Sequence, residues 1–303
     1  MMKKIRIALT GSPGSGKAEI FDALTGNPGS GKAEKKTGRV RRNGYDIEIV
    51  DLPGTCSLTA YSAGEIIVRD FILEEKPDVV VQVVDATNLE RNLYLTTRLA
   101  ELGVPVVIAL NAADVIDREK LSAFLEISVV RTATTRGDGI DDLLDAAIRE
   151  VETAPCHERI VDYVDYGVEV EAMIASLIDL LLTDRTLSAR YPLRWLAVRL
   201  LEGDEDVLAR IPGGLVFYRL QDFLSLVDSD EYRTAMAGRR YETITAILPQ
   251  VLSPGTGVPA APCRCPGWCG NAGDRLVVEY VLTEKGREAA GRLAKMGRHI
   301  GLN

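Results

Sequence analysis

Long apolar runs are missing from this 303-residue chain. No stretch approaches the roughly 18 apolar residues that cross a bilayer, so no transmembrane segment is expected. The greasiest runs, Val79 to Val84 and Val104 to Leu110, are short, Val-rich and stopped by polar residues, as buried strands are. The basic start, Lys3 and Lys4, precedes an apolar run (Ile5 to Leu9) too short for a signal-peptide core, so export is not expected. Histidine is nearly absent: His157 and His299 are the only two, and neither sits in a catalytic arrangement. Cysteine is scarce and odd in number, five in all, which argues against a disulfide framework and fits a reducing compartment. Surplus positive charge is also lacking. With 36 Lys and Arg against 44 Asp and Glu the net charge is -8, which excludes nucleic-acid binding driven by overall electrostatics. The local basic clusters, Lys32 to Arg42 and Lys285 to Arg298, read as solvated surface.

What is present is ordinary for a globular protein: 46% hydrophobic and 26% charged residues, in a chain long enough for two domains. The first half alternates strand-like and helix-like segments. Strands are expected at Lys3 to Thr10, Val79 to Val84, Val104 to Leu110 and Ile127 to Thr132. A hairpin is expected over Gly38 to Asp51, turned by Asn43-Gly44, because both turn positions need positive φ. Helices fill the gaps, at about Ala18 to Leu24, Ala63 to Glu75, Leu89 to Leu102, Asp117 to Leu125 and Ile140 to Glu150. Such alternation predicts a mostly parallel sheet covered on both faces. Beyond Thr153 to His157 the period becomes helical, with Val170, Met173, Ile174, Leu177, Ile178 and Leu181 on one face. Further helices are expected at Leu193 to Leu200, after Gly203-Asp204, at Phe217 to Val227 and at Tyr241 to Leu252. The expected domains are therefore 1–154, an all-helical 155–252, and 253–303, a Pro/Gly/Cys linker with a strand-helix tail.

Three motifs carry chemistry. Gly11, Ser12, Pro13, Gly14, Ser15, Gly16 and Lys17 fit G-x-x-x-x-G-K between a strand and a helix, where backbone N–H groups cradle phosphates and Lys17 neutralises their charge. The next position usually holds a magnesium-binding hydroxyl; here it is Ala18, whose methyl cannot coordinate a hard cation. Asp51, Leu52, Pro53 and Gly54 follow the second hairpin strand. There Asp51 is placed to hold Mg²⁺ through water and the Gly54 N–H to sense a γ-phosphate, although Pro-Gly also makes ordinary turns. Asn111 and Asp114 follow the strand Val104 to Leu110, where Asp114 can accept two hydrogen bonds from a guanine edge that adenine cannot offer. Thr132, Ala133 and Thr134 would complete the base pocket through backbone N–H groups, a looser match. Guanine nucleotide, GTP or GDP, is the expected ligand.

Those motifs, with Asp51 to Leu58 and especially Val84 to Leu95, resemble the G domain of ferrous iron transport protein B. Arg194 to Asp204 and Arg240 to Glu242 look like that family's helical spacer domain, so the resemblance covers about residues 3 to 250. It implies a Ras-like α/β G domain followed by a small helical domain, in a cytoplasmic, nucleotide-gated regulator of Fe²⁺ uptake with slow GTPase activity. It further implies a cytosolic piece without the family's membrane part, acting at the inner face of the membrane through a membrane-embedded iron permease or small cytosolic iron-uptake proteins.

Three departures stand out. Gly14 stands where the family usually has an Asn associated with a potassium site. Ala18 weakens the Mg²⁺ site. Pro28 to Glu34 repeats Pro13 to Glu19 residue for residue, in place of a switch loop carrying a magnesium-sensing Thr; Thr37 is the nearest substitute hydroxyl. Hydrolysis should suffer more than binding, and a degenerate, non-hydrolysing G domain is the alternative. Cys263, Cys265 and Cys269 lie within seven residues and could hold Zn²⁺ or an iron–sulfur cluster with an outside ligand, or form a free loop. The tail from Val277 to Leu293 is similar to the wing of winged-helix regulators, which would make a metal-sensing regulator; a strand-helix cap is the plainer reading.

Overall fold

A computed structural model describes residues 2–26, 36–58, 62–111, 115–133, 137–153 and 164–252. Outside them lie Asp114, Thr134, the repeat Pro28 to Glu34, the boundary around Cys156 and His157, and the whole tail with Cys263, Cys265 and Cys269. The described chain divides into two units, one comprising residues up to 153 with 244–252, the other 164–243.

The first unit is built on a six-stranded sheet in the order β2-β3-β1-β4-β5-β6. Its strands are β1 (Lys3–Gly11), β2 (Lys36–Arg42), β3 (Tyr45–Asp51), β4 (Val79–Asp85), β5 (Val106–Asn111) and β6 (Ser128–Thr132). All neighbours run parallel except the edge pair β2 and β3, the expected hairpin. Its two-residue turn has φ 48° at Asn43 and 82° at Gly44, the mirror-image geometry that matches strand twist.

Helices cover both faces. Ile5, Ile7 and Leu9 of β1, Ile47 and Ile49 of β3 and Val79, Val81 and Val83 of β4 pack with Ile20, Phe21 and Leu24 of α1 (Lys17–Thr25) and with Leu143, Leu144 and Ala147 of α5 (Ile140–Thr153). Fully burying each large apolar side chain contributes about 1.5–3 kcal/mol, which explains why these strands read as unbroken aliphatic runs. The opposite face carries the other alternate positions. There Gln82 is wholly buried; its amide donates to the Asn92 carbonyl at 2.8 Å and its oxygen accepts from the Thr96 hydroxyl at 2.8 Å, both on α3 (Leu89–Glu101). Between β3 and β4, α2 (Ala63–Asp70) opens with a reciprocal capping box between Ser62 and Glu65 and runs on as a π-turn over Phe71–Glu75. α4 (Arg118–Leu125) is capped by the Asp117 carboxylate, which accepts from the Lys120 N–H.

The second unit is helical: α6 (Val168–Leu182), α7 (Arg185–Arg190), α8 (Leu193–Leu201), α9 (Glu205–Ala209), α10 (Leu215–Leu224) and most of α11 (Ser229–Val251). Its core includes Met173, Leu177, Trp195, Leu196, Leu220, Tyr232 and Met236. Two details differ from the sequence reading. α7 is an additional short helix capped by Asp184. α11 begins twelve residues before the expected Tyr241, because the Asp228 carboxylate accepts from the N–H groups of Asp230 and Glu231 and starts it there.

Candidate nucleotide-binding site

The sequence motifs converge at the carboxyl ends of the parallel strands. After β1 the chain fills one side of the sheet with β2 and β3, then crosses to β4 on the other. The crevice between β1 and β4 is thus the topological switch point where open α/β sheets bind ligands. Gly11 lies there, in register with Val83. A Cβ on Gly11 would meet the Val83 carbonyl at 2.6 Å, so only glycine lets the loop descend this far into the sheet.

From Gly11 the chain makes a tight turn in which the Ser15 N–H donates to the Ser12 carbonyl at 3.1 Å. It enters α1 through Gly16, whose φ of 90° is left-handed. No side chain caps this helix start, leaving its first N–H groups to a ligand. The hydroxyl oxygens of Thr10, Ser12 and Ser15 are buried around this turn without a hydrogen-bond partner, while Pro13 and Gly14 are exposed.

Two ties bind the other motifs to this loop. The Thr55 N–H donates to the Gly11 carbonyl at 3.0 Å, and the Leu52 N–H to the Leu9 carbonyl at 2.9 Å, so the segment Asp51, Leu52, Pro53, Gly54 lies alongside it. At the end of β5, the Asn111 amide donates to the Ser15 carbonyl at 3.2 Å across 96 positions of sequence. Thr132 ends β6 buried, with its hydroxyl oxygen unpartnered. Beyond it, the Ala133 N–H donates to the Asp138 carbonyl at 3.1 Å and closes the loop that leads to α5.

Lys17 and Asp51 form a direct ion pair, with their side chains only 13% and 12% exposed. The basic group meant for phosphate and the carboxylate meant for a magnesium water shell thus hold one another. Among the described residues, the hydroxyl positions that the sequence offered do not fit a magnesium ion. Ala18 is an exposed methyl group at the hydroxyl position. Lys36 pairs with Asp51 and Thr37 with Val50, so strand alternation turns Thr37 to the sheet face opposite Asp51. Among the described residues no group of three or more His, Cys, Asp or Glu is placed to hold a metal.

Sequence reasoning missed the support behind the second motif. The Ser57 hydroxyl donates to the Glu65 carboxylate at 2.8 Å and the Thr55 hydroxyl to the Ser57 carbonyl at 2.5 Å, which couples Asp51–Ser57 to the start of α2. The available signal was the S-x-x-E string at Ser62 to Glu65. It also left without a role Asp85, whose carboxylate accepts from the Thr87 N–H at 2.9 Å and the Asn88 amide at 3.0 Å and so shapes the turn between β4 and α3.

Two family descriptions match the chain: ferrous iron transport protein B over residues 5–147, and the FeoB cytosolic helical domain over 166–253. A Porphyromonas gingivalis protein, an Fe(2+) transport protein A/Fe(2+) transporter FeoB fusion, is 39% identical over 247 residues, which are 76% of this chain and 29% of that protein. The Fe(2+) transporter FeoB of Escherichia coli K12 is 35% identical over 278 residues, 86% of this chain and 35% of its own. The chain therefore spans about a third of the length of these curated relatives. Among solved structures, the cytosolic domain of T. maritima FeoB in its GMPPNP form superposes with a TM-score of 0.70 at 31% identity, over 82% of this chain and 100% of that one. Its apo form gives 0.69 at 32% identity, over the same shares. No helix among the described residues is long and apolar enough to cross a membrane. By sequence, fold and the arrangement of its strand-end motifs, the chain belongs to the FeoB family of ferrous iron transport proteins and carries that family's G domain and cytosolic helical domain.

Proposed function

We propose that the chain is a guanine-nucleotide-binding regulatory module of ferrous iron uptake in which GTP hydrolysis is slow or impaired. The observation that carries this reading is the uncapped glycine turn into α1, with Lys17 at its mouth and the second and third motifs hydrogen-bonded to it through Thr55 and Asn111. Relatives of the same fold have been solved in GDP and GMPPNP forms, which supports the ligand class. Discrimination of guanine rests on Asp114, whose carboxylate would be left unpaired by adenine. The curated relatives are Fe²⁺ transporters about three times as long, so the partner proposed here is a membrane-embedded iron permease at the cytoplasmic face.

Impaired turnover follows from the missing hydroxyl at Ala18. Phosphoryl transfer depends on positioning and on neutralising charge in the transition state, and neither is supplied by a methyl group. Binding needs only the cradle, Lys17 and the base pocket. That asymmetry favours, as a second reading, a module that holds nucleotide without turning it over.

The test is a titration with fluorescent GDP and GTP beside an Asp114→Asn variant, followed by phosphate release at saturating GTP. Binding that the variant weakens for guanine, with little or no phosphate released, supports the proposal. Binding untouched by the variant would remove the assigned base pocket, and turnover at the pace of a fast GTPase would remove the impaired-hydrolysis reading.

A further inference from the structure

We infer that the Lys17–Asp51 ion pair, together with Ala18, makes this site selective for a nucleoside diphosphate over a triphosphate, independently of magnesium. The inference rests on the guanine-nucleotide reading of the same site and adds to it which phosphate chain the site takes.

The argument is one of charge at the mouth of the glycine turn. The turn and the start of α1 present backbone N–H groups, and these serve any diphosphate. A γ-phosphate adds charge that needs its own partners, ordinarily the loop lysine and a divalent cation. Here the lysine is committed. Lys17 contacts the Asp51 carboxylate in a setting where both side chains are almost nine-tenths buried, so their attraction is screened far less than on a surface. Recruiting Lys17 fully to a γ-phosphate would strand Asp51, a buried carboxylate, next to the incoming anion.

The cation that usually separates the two negative groups has lost its protein hydroxyl at Ala18. Thr37, the substitute for the switch threonine suggested by the sequence, lies on the face of the sheet opposite Asp51. Diphosphate binding avoids the conflict, because Lys17 can remain on Asp51 while its charge still lies close to the β-phosphate.

The experiment is calorimetric titration of the whole chain with GDP and with GMPPNP, each with magnesium and with EDTA, repeated for Asp51→Asn and Ala18→Ser. The expected result for the unaltered chain is GDP bound at least tenfold more tightly than GMPPNP, with neither affinity changing more than threefold on adding magnesium. Asp51→Asn, which frees Lys17 and removes the opposing carboxylate, should narrow the preference to threefold or less in EDTA. Ala18→Ser is made at an exposed position where the fold is not at risk; it should raise GMPPNP affinity at least fivefold, and only with magnesium. Equal affinity for the two nucleotides, or GMPPNP binding by the unaltered chain that depends on magnesium, would overturn this inference while leaving the guanine-nucleotide reading in place. Absence of binding to either nucleotide overturns both.

Discussion

Replacing Glu202 with alanine should destabilise the helical unit by about 3–5 kcal/mol, the range expected when one partner of a buried ion pair is removed. Glu202 caps the end of α8 with a side chain 3% exposed, between two guanidinium groups. Arg199, itself 3% exposed, contacts one carboxylate oxygen, and Arg240, 0% exposed, donates to the other at 2.7 Å. Arg240 is further held over the Tyr166 ring, 5.1 Å from its centroid, and Arg199 has the Asp204 carboxylate at 3.7 Å. Alanine takes away the carboxylate that bridges the two guanidinium groups and leaves a cavity beside them. The comparison is Glu242→Ala, which breaks the Arg239–Glu242 pair at 3.0 Å where both side chains are about two-fifths exposed. Exposed pairs are worth about half a kcal/mol or less, so that variant should melt almost as the parent does. Thermal melts followed by helical circular dichroism separate the two cases. For a unit of this size each kcal/mol moves the midpoint by roughly 4–8 °C, so Glu202→Ala should melt at least 12 °C lower. A shift of less than 4 °C, or equal shifts for the two variants, would show that the Arg199–Glu202–Arg240 cluster does not hold this unit together.

Other expectations follow from single contacts. Gly11→Ala drives a methyl group against the Val83 carbonyl, a backbone atom that cannot swing away, and should cost about 1–3 kcal/mol in melts and abolish nucleotide binding; unchanged binding would contradict the placement of the loop. Asn111→Ala removes the bond to the Ser15 carbonyl, a net loss of about 1 kcal/mol, and should lower the melting midpoint of the first unit by about 2–4 °C while weakening GDP binding about fivefold; an unchanged melt with unchanged GDP affinity would contradict the role given to this contact. Tyr232→Phe removes a wholly buried hydroxyl that has no hydrogen-bond partner and should leave stability unchanged or raise it by up to about 1 kcal/mol in urea melts. Burial pushes the Tyr232 phenol up from 10.0 to about 12, so the folded state keeps a proton that the unfolded chain releases. Its contribution is complete below the unfolded value and is lost as pH rises through the folded one, so the unaltered chain should lose stability between those two values more steeply than the Phe variant.

Much of the first unit was legible because parallel strands buried on both faces read as unbroken aliphatic runs, as in Val79–Asp85, and because Asn43-Gly44 names its own turn. The helical unit was less so. There α11 hides its buried apolar residues, Tyr232, Ala235, Met236 and Ala237, among arginines and acidic residues, and its start depends on one Asp228 carboxylate. At the site, the sequence marked the strand-end motifs in order, since each is a local string after an aliphatic run. It could not show that Asn111 holds Ser15 or that Lys17 holds Asp51. Both contacts join segments far apart in sequence, and only the strand order puts them side by side.

The most direct test of the central claim is calorimetric titration of the unaltered chain with GDP and with ADP. The account predicts one GDP site with ADP binding at least a hundredfold weaker, because adenine leaves the Asp114 carboxylate without its donors. Equal affinity for GDP and ADP, or no heat with either, would contradict it.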